Sequence, residues 1–296
     1  MKILCRAPAK INLALHITGQ RDDGYHLLDT LVVFTALGDE LLISTPDGLI
    51  EDRLELSGPF CDTLSIGRDN LVLRAVTQLR EILVSLRISA PAVRIQLQKN
   101  LPVSSGIGGG SADAAATLLG LKNLWNFHDD EAVLDVAKQL GADVPMCLRS
   151  SPLRARGVGD EITLLDGFGD FHLLLVNPGI SIATKDIFKS LVNKINSRME
   201  LPNHFTIQTL YGTRNDLQEP AISHAPIIQS VIELIANLPQ VQFARMSGSG
   251  ATCFGVFETA EAAENAKIVL SGQHPEWWVM STNLFNNREE LDRVIQ

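Results

Sequence analysis

The sequence predicts strands and helices mixed along two halves of the chain, residues 1–165 and 166–296. Three observations carry this expectation. Apolar residues recur with the period of a strand in some stretches and of a helix in others, and both halves contain both kinds. The chain has 296 residues, of which 45% are hydrophobic, enough for one large or two medium domains. Gly157-Val-Gly159, followed by Asp166-Gly-Phe-Gly169, punctuates the middle as a link would.

From Ile11 the alternation is strict. Ile11, Leu13, Leu15 and Ile17 are separated by Asn12, Ala14 and His16, a strand that keeps Lys10 and Asn12 on its non-core face. Pro8 is expected to break any strand running in from Ile3 and Cys5. Gly19 to His26 contains two glycines and paired aspartates and reads as a turn with Tyr25 and His26 at its exit. Strands at Thr30 to Phe34 and Asp39 to Ser44 follow, then a hairpin with a loose loop over 45–68. Asp69 or Asn70 caps a helix marked by Leu73, Val76 and Leu79, and Val93, Ile95 and Leu97 alternate in a strand that ends by Lys99 and Pro102.

The next stretch, Leu101-Pro-Val-Ser-Ser-Gly-Ile-Gly-Gly-Gly-Ser-Ala-Asp, joins that strand to a helix capped by Ser111, with Asp113 in its first turn and Ala114, Leu118, Leu121 and Trp125 at helical spacing. A glycine loop entering a helix N-terminus presents unpaired N–H groups and the positive end of the helix dipole, which suits phosphate. It is neither a Walker loop, which needs a lysine after the glycines, nor a dinucleotide fingerprint, which needs a closing glycine where Ser111 stands. On the loop alone a plain tight turn stays open. A second helix spans Glu131 to Leu140 with Gly141 as its stop, and Pro145 places Asp143 at the N-terminus of a third. Asp143 is there either an ordinary N-cap or a carboxylate available to a hydroxyl or a cation.

In the second half, His172 to Val176 is a strand and Ile182 to Phe188 leads into a helix. Asn193 to His204 reads as a mobile connection, Arg214-Asn-Asp216 precedes a helical region ending near Pro220, and Ile227, Val231, Leu234 and Ile235 mark another helix. Ser247-Gly-Ser-Gly250 lies between two apolar strands as a second glycine loop. A helix from Ala260 to Leu270 and a strand at Trp277 to Met280 follow, and the tail from Asn286 has no assigned role.

A net charge of −9 disfavours nucleic acid and anionic membranes as partners, so an anionic ligand needs a local site. The chain has no run of eighteen apolar residues, and its four cysteines are far apart. Both observations suit a cytoplasmic protein with free thiols and no structural metal.

Pro8-Ala-Lys-Ile-Asn-Leu13 with Gly24-Tyr-His26, then Leu101 to Ala116, then Ser247-Gly-Ser-Gly-Ala-Thr252 resemble, in this order, the motifs of the GHMP kinase superfamily, and the resemblance runs from Pro8 to about Leu284. It implies a two-domain α+β fold, with a first domain like domain 2 of ribosomal protein S5, a left-handed β-α-β crossover around the glycine loop, and a ferredoxin-like second domain. It implies a small-molecule kinase using ATP, with Mg2+ carried by the nucleotide and no protein ligand of the metal assigned. Lys10 and Asp143 would be the catalytic pair, Asp143 accepting or orienting the proton of the acceptor hydroxyl. Asn70 and Lys99 would lie near the adenine. Pro102, Val103, Ser104, Ser105, Gly106, Ile107, Gly108, Gly109, Gly110, Ser111 and Ala112 would wrap the phosphates, although the family usually has a serine where Ala112 stands.

Asn12, Tyr25, His26, Thr184 and Phe188 would bind the second substrate, with Tyr25 and Phe188 sandwiching a base that His26 reads. Gly248, Ser249 and Gly250 would close the pocket. The Gly-Tyr-His element and Gly141-Ala-Asp-Val-Pro145 point, within the superfamily, to a kinase for a cytidine diphosphate-linked small molecule of non-mevalonate isoprenoid synthesis, a monomer or weak homodimer. A homoserine or mevalonate type of kinase and a noncatalytic nucleotide-binding module are the alternatives.

Overall fold

Two long antiparallel strands, β1 (Lys2–Gln20) and β2 (His26–Ser44), form the spine of the molecule. The computed structural model describes residues 1–67, 69–166, 168–169, 171–202, 205–285 and 291–295. Pro8 does not interrupt β1: it lies opposite Gly38, and a register shift between Pro8 and Lys10 absorbs the missing ladder donor as a bulge. Further shifts at Asn12/Ala14 and Ile17/Gly19 bend the pair, so the two strands predicted between Thr30 and Ser44 are one continuous strand.

Among the described residues, 45–67 form no hairpin. Strand β3 (Arg53–Ser57) pairs in parallel with β4 (Arg94–Gln98), and helix α1 (Leu71–Ser85) provides the crossover that parallel pairing requires. The glycine loop therefore follows the crossover instead of lying within it. It leads into α2 (Gly109–Leu124), after which come α3 (Asp130–Leu140), α4 (Val144–Arg149) and the hairpin β5 (Leu153–Gly157) and β6 (Glu161–Leu164).

A second sheet begins after this hairpin. The elements are β7 (His172–Asn177), α5 (Thr184–Lys189), α6 (Ile207–Tyr211), α7 (Gln218–His224), α8 (Ile227–Ala236), β8 (Val241–Met246), β9 (Cys253–Phe257), α9 (Ala260–Gln273) and β10 (Trp278–Asn283). Its antiparallel order, β10-β7-β9-β8, is that of a ferredoxin-like unit. The end of the chain does not stay with it: β11 (Asp292–Ile295) pairs with Lys2 to Cys5 of β1 and edges the first sheet. Residues 286–290 of the tail lie outside the described residues.

The layers follow from the alternation of side chains. One face of the first sheet, through Ile3, Cys5, Leu41 and Ile43, packs on α1 to α4. The opposite face, through Ile11, Leu13, Leu31 and Val33, meets Leu173, Leu175, Phe254 and Val256 of the second sheet. Leu174 and Val176, pointing the other way, are covered by α5 and α7 to α9. The central α2 is buried nearly all round; a Cβ on its Gly120 would stand 2.5 Å from Cys5 Sγ and 2.7 Å from Ile43 Cδ1, so small residues let it lie close against the sheet. Arg245 crosses from β8 to the spine, donating to Leu13 O (2.8 Å) and to Leu210 O, Thr213 O and Thr213 Oγ1. Burial pushes its pKa down to about 10, which still leaves it charged.

The connection read as mobile is tethered. Asn196 N donates to Ile17 O at 3.1 Å, and Met199 N to Asp29 Oδ2 at 2.8 Å. Asp29, fully buried, also receives Arg154 Nε at 2.7 Å and Nη2 at 2.6 Å. Burial alone would raise its pKa; the bonds from Arg154 and Met199 outweigh burial and hold it below the ordinary carboxylate value. A depressed folded-state pKa contributes stability above the unfolded pKa, and that stability is lost as pH falls through the folded one. Arg154→Met should accordingly cost about 3 kcal/mol at neutral pH by stranding a buried carboxylate. The deficit should shrink on acidification below the carboxylate range, as read from urea unfolding at both ends.

Candidate active site between two glycine loops

A cleft of about 990 Å³ opens where β1, the loop before α2, the turn before β2, α5 and the loop after β8 converge. Its walls are held by the outer edge of β1. Lys10 N donates to Ile107 O at 2.9 Å, and Asn12 N to Ser247 Oγ at 3.0 Å; Ser247 Oγ in turn donates to Gly106 O at 3.1 Å. Thr252 N donates to Ser105 O, so the two glycine loops are joined on both sides of Gly106. At Gly106 the backbone has φ +77°, and a Cβ there would lie 2.6 Å from Ser247 O and 2.8 Å from Gly250 N. Only glycine permits that approach. Asn215 Nδ2 braces the second loop by donating to Met246 O and Gly248 O, each at 2.9 Å, and Thr184 Oγ1 lies 2.9 Å from Ser249 Oγ.

Helix α2 begins three residues earlier than its sequence suggests. Gly108, in the left-handed region, is the cap, Ser111 lies in the first turn and Asp113 in the second. Ala112 N already bonds to Gly108 O, leaving the N–H groups of Gly109, Gly110 and Ser111 without an acceptor in the helix, beside the cleft. This is an anion-binding arrangement. Ala112 itself turns into the core, 2% exposed, and takes no part in the wall.

Asp143 occupies the N-cap position of α4 yet makes no side-chain capping bond. Its Oδ2 lies 3.2 Å from Lys10 Nζ, and the carboxylate is 40% exposed to the cleft. Lys10 is 4% exposed; its ammonium also donates to Asn12 Oδ1 at 2.9 Å, while Asn12 Nδ2 donates to Thr30 Oγ1 at 2.8 Å. The lysine stem runs under Gly108, where a Cβ would be 3.0 Å from Cε. The expected non-core face of this strand is therefore buried and belongs to the site.

At the other end of the cleft, the rings of His26 and Phe188 are 5.0 Å apart, and Tyr25 stands at the rim, 65% exposed. Burial, helped by Lys194, lowers the His26 pKa, so the ring is neutral at pH 7 with one donor and one acceptor nitrogen. Its Nε2 is buried and has no partner. A buried polar atom without a partner, on a residue that lines a cleft, calls for an explanation.

Two residues expected near adenine spend their side chains elsewhere. Asn70 caps α1, accepting from Val72 N at 2.9 Å and donating to Ser65 O at 2.7 Å, and the adjacent wall is made by Leu64 and Leu71. Lys99 turns its ammonium inward to Asp39 and Asp113 and is 1% exposed. Burial opposes its charge, but the two carboxylates prevail and raise its pKa, while burial, with Asp39 close by, pushes Asp113 up to about 8. Asn70, Ile107, Ala112 and Gly250 do not line the cleft; the other residues expected at the site do. Thr30, Asn215 and Ser247 were not singled out. Ser247 opens the second glycine loop, a visible signal, whereas Thr30 and Asn215 act only through the fold. Lys185, next to Thr184, also lines the cleft. Among the described residues no cluster of three His, Cys, Asp or Glu could hold a metal ion.

Family models for the GHMP kinases N terminal domain and the GHMP kinases C terminal match residues 70–151 and 206–272. The chain is 47% identical over 284 residues to a 4-diphosphocytidyl-2-C-methyl-D-erythritol kinase of Rhizobium meliloti (strain 1021), covering 93% of each chain. It is 46% identical to one of Chelativorans sp. (strain BNC1), covering 99% of this chain and 100% of that one. A crystal structure of 4-(cytidine 5'-diphospho)-2C-methyl-D-erythritol kinase superposes with a TM-score of 0.77 at 29% identity, over 96% of this chain and all of that one. Homoserine kinase from Cytophaga hutchinsonii shares the fold, with a TM-score of 0.70 at 16% identity over 100% and 97% of the two chains.

Gly106→Ala should force the two loops apart. The expected cost is about 1–3 kcal/mol of stability in denaturant unfolding. Amide exchange at Thr252, whose N–H crosses between the loops, should speed up while the centre of β9 stays protected.

Proposed function

The chain belongs to the GHMP kinase family, and we propose that it transfers the terminal phosphoryl group of ATP to the 2-hydroxyl of 4-diphosphocytidyl-2-C-methyl-D-erythritol, giving the 2-phosphate and ADP in non-mevalonate isoprenoid precursor synthesis. The observation that carries this reading is the contact between Lys10 and Asp143, 3.2 Å apart, in one cleft between the unpaired amides of α2 and the His26–Phe188 wall.

Phosphoryl transfer in line needs positioning and charge neutralisation more than covalent chemistry. The loop from Pro102 to Ser111 holds the nucleotide phosphates through backbone amides, and Leu64 and Leu71 receive the adenine. Asp143, drawn off its capping position, accepts or orients the proton of the acceptor hydroxyl. Lys10 sits against that carboxylate and supplies positive charge where the phosphoryl group crosses. Asn12 keeps the ammonium in place through its own bond to Thr30. At the far end, Tyr25 and Phe188 take the faces of the cytosine, and the neutral His26 offers its free ring nitrogen to the base edge.

Mg2+ arrives with ATP. Its preference for a few oxygen ligands plus substrate phosphates fits the cleft, where the Ser111 hydroxyl is the donor beside the phosphate loop. When bound it neutralises phosphate charge. The protein works as a monomer or weak homodimer in the cytoplasm, without nucleic acid or membrane; among the described residues no helix is long and apolar enough to cross a membrane.

An ATP-consumption assay with the diphosphocytidyl alcohol, homoserine and mevalonate tests the acceptor. Turnover of homoserine or mevalonate with none of the first would sink the reading. Asp143→Asn and Lys10→Ala should each lower kcat by about two orders of magnitude or more while equilibrium ATP binding persists. Phe188→Ala should raise KM for the diphosphocytidyl substrate by about tenfold and leave KM for ATP within about twofold, since the ring serves only the base end.

A further inference from the structure

Beneath the loop before α2, three ionisable side chains are buried together. Lys99 Nζ contacts Asp39 Oδ2 and lies 2.7 Å from Asp113 Oδ2; none of the three residues exceeds 3% exposure. Asp39 Oδ1 accepts from Asn100 N at 2.6 Å and Leu101 N at 2.9 Å, the two residues at the entrance of the loop. Asp113 lies on α2, just past the exit. The ammonium sits directly under the first helical residue: a Cβ on Gly109 would stand 3.0 Å from Lys99 Nζ. The loop between these anchors contains four glycines, the residues that hold a backbone least rigidly.

Such a cluster has no obvious value for stability. Replacing a buried ion pair by apolar side chains of similar volume is often neutral or stabilising. Asp113 Oδ1 is in addition buried without a partner, an arrangement that packing alone would not favour. What the cluster does supply is a fixed span. Asp39 pins the entrance, Asp113 pins the exit, and Lys99 ties the two together across the sheet and helix.

We propose that Asp39, Lys99 and Asp113 are positioning residues that set the separation of the two ends of the phosphate loop, and thereby the convergence of the Gly109, Gly110 and Ser111 amides on ATP. The proposal rests on the reading of this loop as the ATP site and is independent of which alcohol is phosphorylated. The network lies at the phosphate-loop end of the cleft, so it acts on nucleotide affinity and leaves the acceptor end of the cleft unchanged.

The test is the double variant Lys99→Met, Asp113→Leu, which removes both partners of one buried contact together and leaves Asp39 its two backbone donors. Equilibrium binding of ATP without acceptor should weaken by about tenfold or more, with the unfolding midpoint near that of the wild type. KM for the diphosphocytidyl alcohol should stay within about twofold. Should the double variant not fold, Asp113→Ala and Asp113→Asn decide. The alanine variant, which loses the exit tether, should weaken ATP binding by about tenfold, and the asparagine variant, which still accepts from Lys99, should restore it to within about threefold. ATP binding within twofold of wild type in a folded variant lacking the tether overturns the proposal, as does an equal weakening for both substrates. Because the readout is ATP binding, a wild-type chain that ignores the diphosphocytidyl alcohol would remove the acceptor reading and leave this test standing.

Discussion

A strand with one neighbour leaves every second N–H and C=O along its other edge without a partner, and a buried strand cannot leave them so. β1 has this problem from Lys10 to Ile17, beyond the short reach of β11. Its solution organises the molecule. Ile107 O takes the amide of Lys10 and Ser247 Oγ that of Asn12; Arg245 donates to the carbonyl of Leu13; Arg214 and Asp216 satisfy Leu15, and Asp216 and Asn196 satisfy Ile17. Both glycine loops and the segment after α5 are thus docked on one edge. The side chains of Lys10 and Asn12, on the same strand, are delivered to the place where the loops meet.

Docking backbone against backbone leaves no room for side chains, which explains why glycines and small polar residues concentrate there. The Ser247 hydroxyl serves as both acceptor and donor in a gap that a larger residue would close. The polar groups enclosed in this way are paired in chains: Lys10 to Asn12 to Thr30 to Ala14 O on one side, Asn215 to the second loop on the other. Chains of satisfied groups hold side chains to single orientations. Against that background the Nε2 of His26, on a residue that lines the cleft, is left without a hydrogen-bond partner.

Much of the local structure was legible. The alternation from Ile11 to Ile17, the cap at Asn70, the stop at Gly141 and the helix at Ile227 to Ile235 all correspond to elements, because each reports a preference of a few neighbouring residues. The misreadings share one cause. Pro8 looks like a break until Gly38 and a bulge stand opposite it, residues 45–68 look like a hairpin until β4 offers a parallel edge, and 193–202 looks loose until Asp29 and Ile17 hold it. Each depends on a partner far away in the sequence.

The same division applies to the site. The residue types drew attention to the glycine loops, Lys10, Asn12, the Tyr25-His26 pair and Asp143 but left each with an ordinary structural reading as well, and it was the family resemblance that gathered them into one site. Only the tertiary structure decided what those groups do with their atoms. Asp143 leaves its cap for Lys10, Ser111 yields the cap of α2 to Gly108, Ala112 turns to the core, and Lys99 faces inward to two aspartates. A side chain's chemistry belongs to its residue, but its direction is set by which backbone edges and charges come within about 3 Å of it, and in this fold those come from the opposite ends of the chain.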